Sequence, residues 1–168
     1  FDQRLFLEVG QTEFQRLEGV GEMAYRLHAQ PDAGLWELRS RARVHTSSSL
    51  MCWAGCDRLA KIAAHLGFAD RAAFWQQRAA GIKAVILKEA WSEDRQAFVE
   101  SFGGSTLDAS VLLMSEVGFI DATDERYVST IKQMEKTLGR GPFMMRDEEA
   151  DDFGVPETTF NICAFWRV

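Results

Sequence analysis

Apolar residues recur at intervals of three and four along most of this 168-residue sequence, and turn-forming residues separate one such segment from the next. This spacing places apolar side chains on one face of an α-helix, so its repetition predicts a stack of amphipathic helices. The expected fold class is therefore all-α. About six helices are predicted, over residues 11–28, 46–66, 70–90, 108–117, 124–138 and from about 157 onward. Thr46 and Asp70 are the expected N-caps of the second and third helices.

Three segments between these helices lack the helical spacing. Residues 29–44 contain a proline and a glycine, and they carry Trp36 and Glu37 side by side. Residues 91–102 alternate apolar and polar residues around a polar turn, which predicts a small hairpin or an extended loop. Residues 139–156 form a loop that is long for a compact domain, and loops of that length are often functional.

The composition is that of one globular domain with a hydrophobic core, since 46% of the residues are apolar and the net charge is −6. Lysines and arginines are scattered along the whole chain, whereas phosphate binding needs a clustered basic face, so no nucleic-acid partner is expected. The sequence has no apolar run long enough to cross a bilayer, and no membrane association is expected.

The three cysteines are an odd number, which argues against a secreted disulfide scaffold and favours buried reduced thiols. Reduced thiols and the lack of a visible signal favour a cytoplasmic location, although the sequence does not begin with Met and an upstream signal stays open. The three histidines form no cluster with the cysteines at zinc-site spacing, so no metal is expected. The acidic run DEEADDFG is interpreted as a solvated loop, because its glycine is misplaced for a calcium-binding EF-hand.

Residues 19–24, GVGEMA, match a Gly-x-Gly-x-x-Ala dinucleotide pattern. They lie inside the first predicted helix and follow no strand, so phosphate binding is not expected there. We interpret them as helix-packing residues.

Two glutamates occupy similar places in loops that lead into helices: Glu37 follows Trp36, and Glu157 follows Pro156. Glycoside hydrolysis needs two carboxyl groups, of which one donates a proton to the leaving oxygen while the other activates water or attacks the sugar. An indole beside Glu37 would desolvate its carboxyl group and raise the pKa, as a general acid requires. From spacing alone, a solvated surface charge remains the alternative for either residue.

Four blocks in order carry a family resemblance: PDAGLWELR, HTSSSLMCWAGCDRLAKIA, SFGGSTLDASVLL and DDFGVPETTFNICAFW. Together they resemble glycoside hydrolase family 15, the group of glucoamylases and related bacterial trehalases and glucodextranases. The resemblance extends from about residue 12 to the end of the sequence. It implies an (α/α)6 toroid of helical hairpins with an active site at the mouth, formed by the loops between helices.

The same resemblance implies hydrolysis of α-linked glucosides with inversion, acting on an oligosaccharide or disaccharide of α-linked glucose without a cofactor. It assigns the general acid to Glu37 and the lining of the sugar site to Trp36. Substrate contacts are expected from Arg39, Arg146 and Glu157. The family has an Arg-Tyr pair at residues 146 and 147, where this sequence has aspartate in place of the tyrosine.

The segment that carries the family's general base, and its amino-terminal β domain, have no counterpart in residues 1–168. We therefore expect a slice of the catalytic toroid, incomplete at both ends and impaired in hydrolysis. Such a slice would expose apolar helix faces, which predicts self-association. The alternative is a non-catalytic helical scaffold or carbohydrate-binding module derived from the same fold, and the full reading frame would distinguish the two. The glucoside linkage is left open by this sequence.

Overall fold

The computed structural model describes residues 10–150, 152 and 154–167. Its helices are α1 (Gln11–Leu27), α2 (Thr46–His65), α3 (Ala69–Glu89), a 3₁₀ helix (Ala109–Leu112), α4 (Leu113–Glu116), α5 (Glu125–Leu138) and α6 (Asn161–Trp166). Two antiparallel hairpins of two-residue strands complete it: β1 (Trp91–Ser92) with β2 (Ala97–Phe98), and β3 (Gly139–Arg140) with β4 (Phe143–Met144). The all-α prediction is confirmed, since the strands are only short connections between helices.

The helices α2 and α3 form a helical hairpin that holds the centre of the core. A three-residue connection joins them, and Gly67 turns the chain there with φ of +78°. Trp53 of α2 and Trp75 of α3 lie in one buried cluster, and the Trp53 ring meets Phe119 edge-on at 4.9 Å. The hairpin therefore buries Trp53 against the segment that follows α4, and it buries Trp75 against Gly21 of α1.

The expected helix caps at Thr46 and Asp70 are wrong, because His45 and Phe68 occupy those positions. The Thr46 hydroxyl instead donates to the carbonyl oxygen of Val99 at 2.6 Å, a tertiary contact that fixes its side chain. The predicted hairpin at 91–102 is confirmed by β1 and β2.

The expected start of the last helix near residue 157 is also wrong, since α6 begins at Asn161. The Phe160 N–H donates to the carbonyl oxygen of Met144 at 2.9 Å, so the chain is held extended beside β4 until that point. The long loop at 139–156 is shortened by the β3–β4 hairpin, where Gly141 turns with φ of +62°.

Three connecting segments meet at one end of the helices: 28–45 between α1 and α2, 90–108 after α3, and 139–160 between α5 and α6. The Phe102 N–H donates to the carbonyl oxygen of Val44 at 3.0 Å, which joins the first segment to the second. The Leu107 N–H donates to Glu148 Oε1 at 3.0 Å, which joins the second to the third. The residues singled out by the sequence are thereby gathered at this end.

The apolar face of α1 is largely uncovered. Only Phe14 and Gly21 of that helix are buried, whereas Val20 is 67% and Met23 54% exposed. Phe165 of α6 is 77% exposed as well. Exposed apolar helix faces were expected, while self-association through them stays a prediction. Within the described residues, no helix has the length and apolar content needed to span a bilayer.

Candidate active site

Glu37 lies in a tight turn with an unusual backbone. The Leu38 N–H donates to the carbonyl oxygen of Ala33 at 2.8 Å, and Gly34 and Glu37 have φ of +69° and +54°. A side chain on Gly34 would start 2.9 Å from the His45 imidazole, so glycine is required on steric as well as conformational grounds. A non-glycine residue at positive φ costs on the order of 1–3 kcal/mol, and such residues cluster at functional sites.

Ion pairs fix the chain that follows this turn. Arg43 Nη1 lies 2.9 Å from an oxygen of Glu100 and 2.9 Å from an oxygen of Glu149, and Arg41 Nη1 lies 2.9 Å from Glu149. The hydrogen bond with Arg43 lowers the pKa of the Glu149 carboxyl group. Since Glu100 is 5% exposed, its charge needs this partner. The pairs clamp the loop of Glu37 to both neighbouring segments.

The Trp36 indole is surrounded by residues of the two other segments. Its Nε1–H donates to Asp108 Oδ2 at 2.6 Å, and the Arg146 guanidinium carbon lies 5.2 Å from the ring centroid. Phe160 and Trp166 add ring contacts at 5.9 and 6.2 Å between centroids. The half-buried indole therefore joins the turn of Glu37 to the start of the 3₁₀ helix and to α6.

The expected desolvation of Glu37 by Trp36 is not found. Glu37 is exposed, because the indole contacts point towards Asp108 and Arg146 rather than over the neighbouring carboxyl group.

Sequence reasoning missed two buried carboxyl groups at this site. Asp108 is 2% exposed and Asp147 is 5% exposed, and the two residues form an antiparallel backbone bridge. Asp147 accepts a hydrogen bond from Arg146 Nε at 2.9 Å. Asp108 lies just before a helix, where aspartate is interpreted as a cap, and the Ser110 N–H does donate to Oδ1 at 2.8 Å. Its second oxygen and its burial are tertiary features that spacing does not reveal.

Burial raises the pKa of Asp108 from 3.8 to about 6, against the opposing effect of its hydrogen bonds from Ser110 and Trp36. A carboxyl group with a raised pKa binds its proton more tightly in the folded state, so stability is greatest below pH 4 for this group and falls as pH rises towards 6.

The raised pKa of Asp108 should lower the free energy of unfolding by up to about 3 kcal/mol over this pH range, at 1.36 kcal/mol per pKa unit. Because asparagine does not ionise, we expect this decline to be absent in Asp108→Asn. Urea unfolding at pH 4, 5, 6 and 7 measures it, and an unchanged slope in the variant would contradict the assignment.

The remaining predicted residues divide into two groups. Arg146 and Glu157 line one open cavity of about 750 Å³ with residues 154–160, and Glu157 is exposed there. Arg39 is exposed, and its backbone N–H donates to Asp152 Oδ2 at 2.6 Å. The structure thus brings Trp36, Arg146 and Glu157 into one region next to the turn of Glu37. Among the residues that the structure describes, Arg39 has no contact with the lining of the cavity.

Among the described residues, no group of three histidine, cysteine, aspartate or glutamate side chains could hold a metal ion. The three cysteines are free, and burial raises the pKa of Cys56 to about 11 and that of Cys163 to about 12. These thiols are therefore in their neutral form near neutral pH.

Helices whose long connections meet around carboxyl and aromatic side chains, beside an open cavity, define a candidate glycosidase site. The sequence model described as glycosyl hydrolases family 15 matches residues 23–154 of this chain. The chain belongs to that family, which confirms the resemblance found in the four sequence blocks.

Similar proteins agree with this membership. The trehalase of Mycobacterium tuberculosis is 35% identical over 150 residues, which are 88% of this chain and 22% of that protein. The trehalase of Mycolicibacterium smegmatis is 34% identical over 155 residues, 90% of this chain and 23% of that protein. The chain thus spans less than a quarter of the length of these two relatives.

Solved structures share the fold at low identity. A wild-type glycosidase matches with a TM-score of 0.67 and 18% identity over 86% of this chain and 37% of its own. A bacterial glucoamylase complexed with acarbose matches with a TM-score of 0.63 and 14% identity, over 89% of this chain and 28% of its own. The helical fold of the glucoamylase type is therefore shown.

Proposed function

We propose that this chain is part of the catalytic domain of an inverting hydrolase of α-linked glucosides, with Glu37 as the general acid. The observation that carries the proposal is the backbone of Glu37, held at φ of +54° in a turn where three connecting segments meet. Strain of this kind persists only where the surroundings impose it, and the ion pairs of Arg41 and Arg43 supply that constraint. The membership of family 15 supports the same role.

In this proposal the Glu37 carboxyl group protonates the departing glycosidic oxygen while a second carboxylate activates water on the opposite face of the sugar. Trp36 offers an apolar ring surface for the sugar, and Arg146 places a fixed cation against that ring. Glu157, in the open cavity, and Arg39 would hydrogen-bond sugar hydroxyl groups. A sugar bound there would also exclude water from Glu37, which strengthens its acid role.

We further propose that the general base lies outside the 168 residues, so that the chain by itself is impaired in hydrolysis. Proton donation without an activated water leaves half of the inverting mechanism unassisted. The free cysteines support a reducing, cytoplasmic setting. The uncovered α1 face supports association with another apolar surface.

The test compares the full-length polypeptide that carries this chain with the 168-residue chain, using trehalose, maltose and isomaltose. Because the chain is 35% and 34% identical to two trehalases, trehalose is the first substrate expected to be hydrolysed. Proton NMR at early times should show β-glucose formed at the attacked carbon, and the chain alone should show no turnover above background. Release of α-glucose alone would contradict inversion. Turnover by the chain alone that Glu157→Gln abolishes would instead assign the base to Glu157.

A further inference from the structure

We propose that Asp108 is a positioning residue, which sets the orientation of the Trp36 indole in the sugar site through the hydrogen bond from Nε1. This inference rests on the proposed function, because it assigns Asp108 a role in the binding of a glucoside by that site. The two residues are 72 positions apart in the sequence, and the bond between them is 2.6 Å long.

The two carboxylate oxygens of Asp108 accept hydrogen bonds from different donors, which supports this role. Oδ1 accepts from the Ser110 N–H at 2.8 Å and thereby caps the 3₁₀ helix, while Oδ2 accepts from the indole of Trp36. Asp124 caps α5 with a single oxygen, Oδ1, which accepts from the N–H groups of both Arg126 and Tyr127. A cap therefore needs only one carboxylate oxygen, and the second oxygen of Asp108 serves the indole.

Asp108 and Asp124 also differ in how deeply they are buried. Asp108 is 2% exposed, whereas Asp124 is only partly buried. Burying a carboxylate costs free energy that a cap alone can avoid by remaining near solvent, as Asp124 does. The depth of Asp108 is explained by the place of its partner, since the indole edge lies between the connecting segments.

Ala109, the residue next to Asp108, also holds the backbone of Arg146 in place. The Ala109 N–H donates to the carbonyl oxygen of Arg146 at 2.9 Å, and the guanidinium of Arg146 lies over the Trp36 ring. The start of the 3₁₀ helix thus fixes both the aromatic surface and the cation beside it. A displaced indole would present a different surface to a sugar ring, so binding should weaken before the fold does.

A double-mutant cycle in the full-length polypeptide tests the proposal, with kcat and KM for trehalose and maltose as readouts. Asp108→Asn keeps only one acceptor, and we expect kcat/KM to fall by about tenfold or more, as for loss of a hydrogen bond to a charged group. Trp36→Phe keeps a ring but removes the N–H donor and should cause a similar loss. In the Trp36→Phe background, Asp108→Asn should change kcat/KM by less than about twofold. Asp124→Asn is the matched control and should have little effect.

A second readout reports the indole directly and needs no turnover. In protein labelled with 5-fluorotryptophan, the fluorine resonance that Trp36→Phe removes should shift in Asp108→Asn and stay in place in Asp124→Asn. If Asp108→Asn does not fold, Asp108→Ser keeps a capping oxygen that is too short to reach the indole and replaces it in both experiments.

The outcomes separate the two claims. Additive losses in the cycle, or an unmoved Trp36 resonance, would overturn the positioning role while leaving the hydrolase proposal intact. A parent protein that hydrolyses no α-glucoside would refute the proposed function and with it any role of Asp108 in sugar binding. In that case a shifted resonance would reduce Asp108 to a structural contact of Trp36.

Discussion

Replacing Glu37 by glutamine is expected to lower kcat for trehalose and maltose by about 10²–10⁴-fold in the full-length polypeptide, the range that general acid catalysis contributes. The amide has nearly the size of the carboxyl group but cannot donate the proton that the leaving sugar oxygen needs. The fold should be unchanged, since Glu37 is exposed and Gln96 adopts a similar backbone conformation, with φ of +50°, elsewhere in the chain.

A substrate with a better leaving group distinguishes acid catalysis from a general loss of the site. Fluoride leaves α-glucosyl fluoride with little need of a proton, so Glu37→Gln should retain much more of the parental kcat on this compound than on maltose. Glu116→Gln, at an exposed position at the end of α4, is the matched control and should match the parent on both. Equal losses on the two substrates would refute the acid role of Glu37.

The second large effect is on stability, at the glycine where α1 packs on the α2–α3 hairpin. A Cβ atom on Gly21 would lie 2.8 Å from Cη2 of Trp75, which is fully buried and cannot move aside freely. Gly21→Leu should therefore lower the free energy of unfolding by about 3 kcal/mol or more, through overpacking. Urea denaturation followed by circular dichroism would measure it.

Gly19 is the matched control, because it lies two residues away in the same helix and a Cβ atom there would meet nothing within 4 Å. Gly19→Leu should raise stability by about 0.5–1 kcal/mol, the gain in helix propensity over glycine. Equal effects at the two positions would show that α1 does not dock through Gly21. The contrast also tests our interpretation of residues 19–24 as helix packing, which the buried Gly21 supports and the open Gly19 does not.

Periodic spacing predicted the long helices well, because each of them carries apolar residues at the helical interval along most of its length. It predicted α1 and α5 to within a residue at each end. The prediction failed where a contact with a residue far away in the sequence determines the backbone conformation. The hydrogen bond from the Phe160 N–H to Met144 of β4 holds the chain extended, so α6 begins only at Asn161. The Thr46 hydroxyl donates to Val99, and Thr46 does not cap its own helix.

At the candidate site, too, local sequence patterns identified some residues, while contacts between distant segments were not predicted. Trp36 and Glu37 were found because the family resemblance marks them, and adjacent positions suggested that the indole covers the carboxyl group. The structure directs the indole edge to Asp108 instead, through a contact that no local pattern contains. Asp108 itself was hidden, since an aspartate before a helix has an ordinary explanation as a cap.

The ion pairs of Arg43 have a consequence for the order in which the protein acquires its site. The partners of Arg43 are 57 and 106 positions further along the chain, whereas α2 and α3 pair across three residues. Contacts between close neighbours form early, and loop-closing ones form late. On a ribosome, the turn of Glu37 would thus emerge well before its clamp and become rigid only after Glu149 has been synthesised. The fixed geometry of this turn is then among the last features that this region acquires.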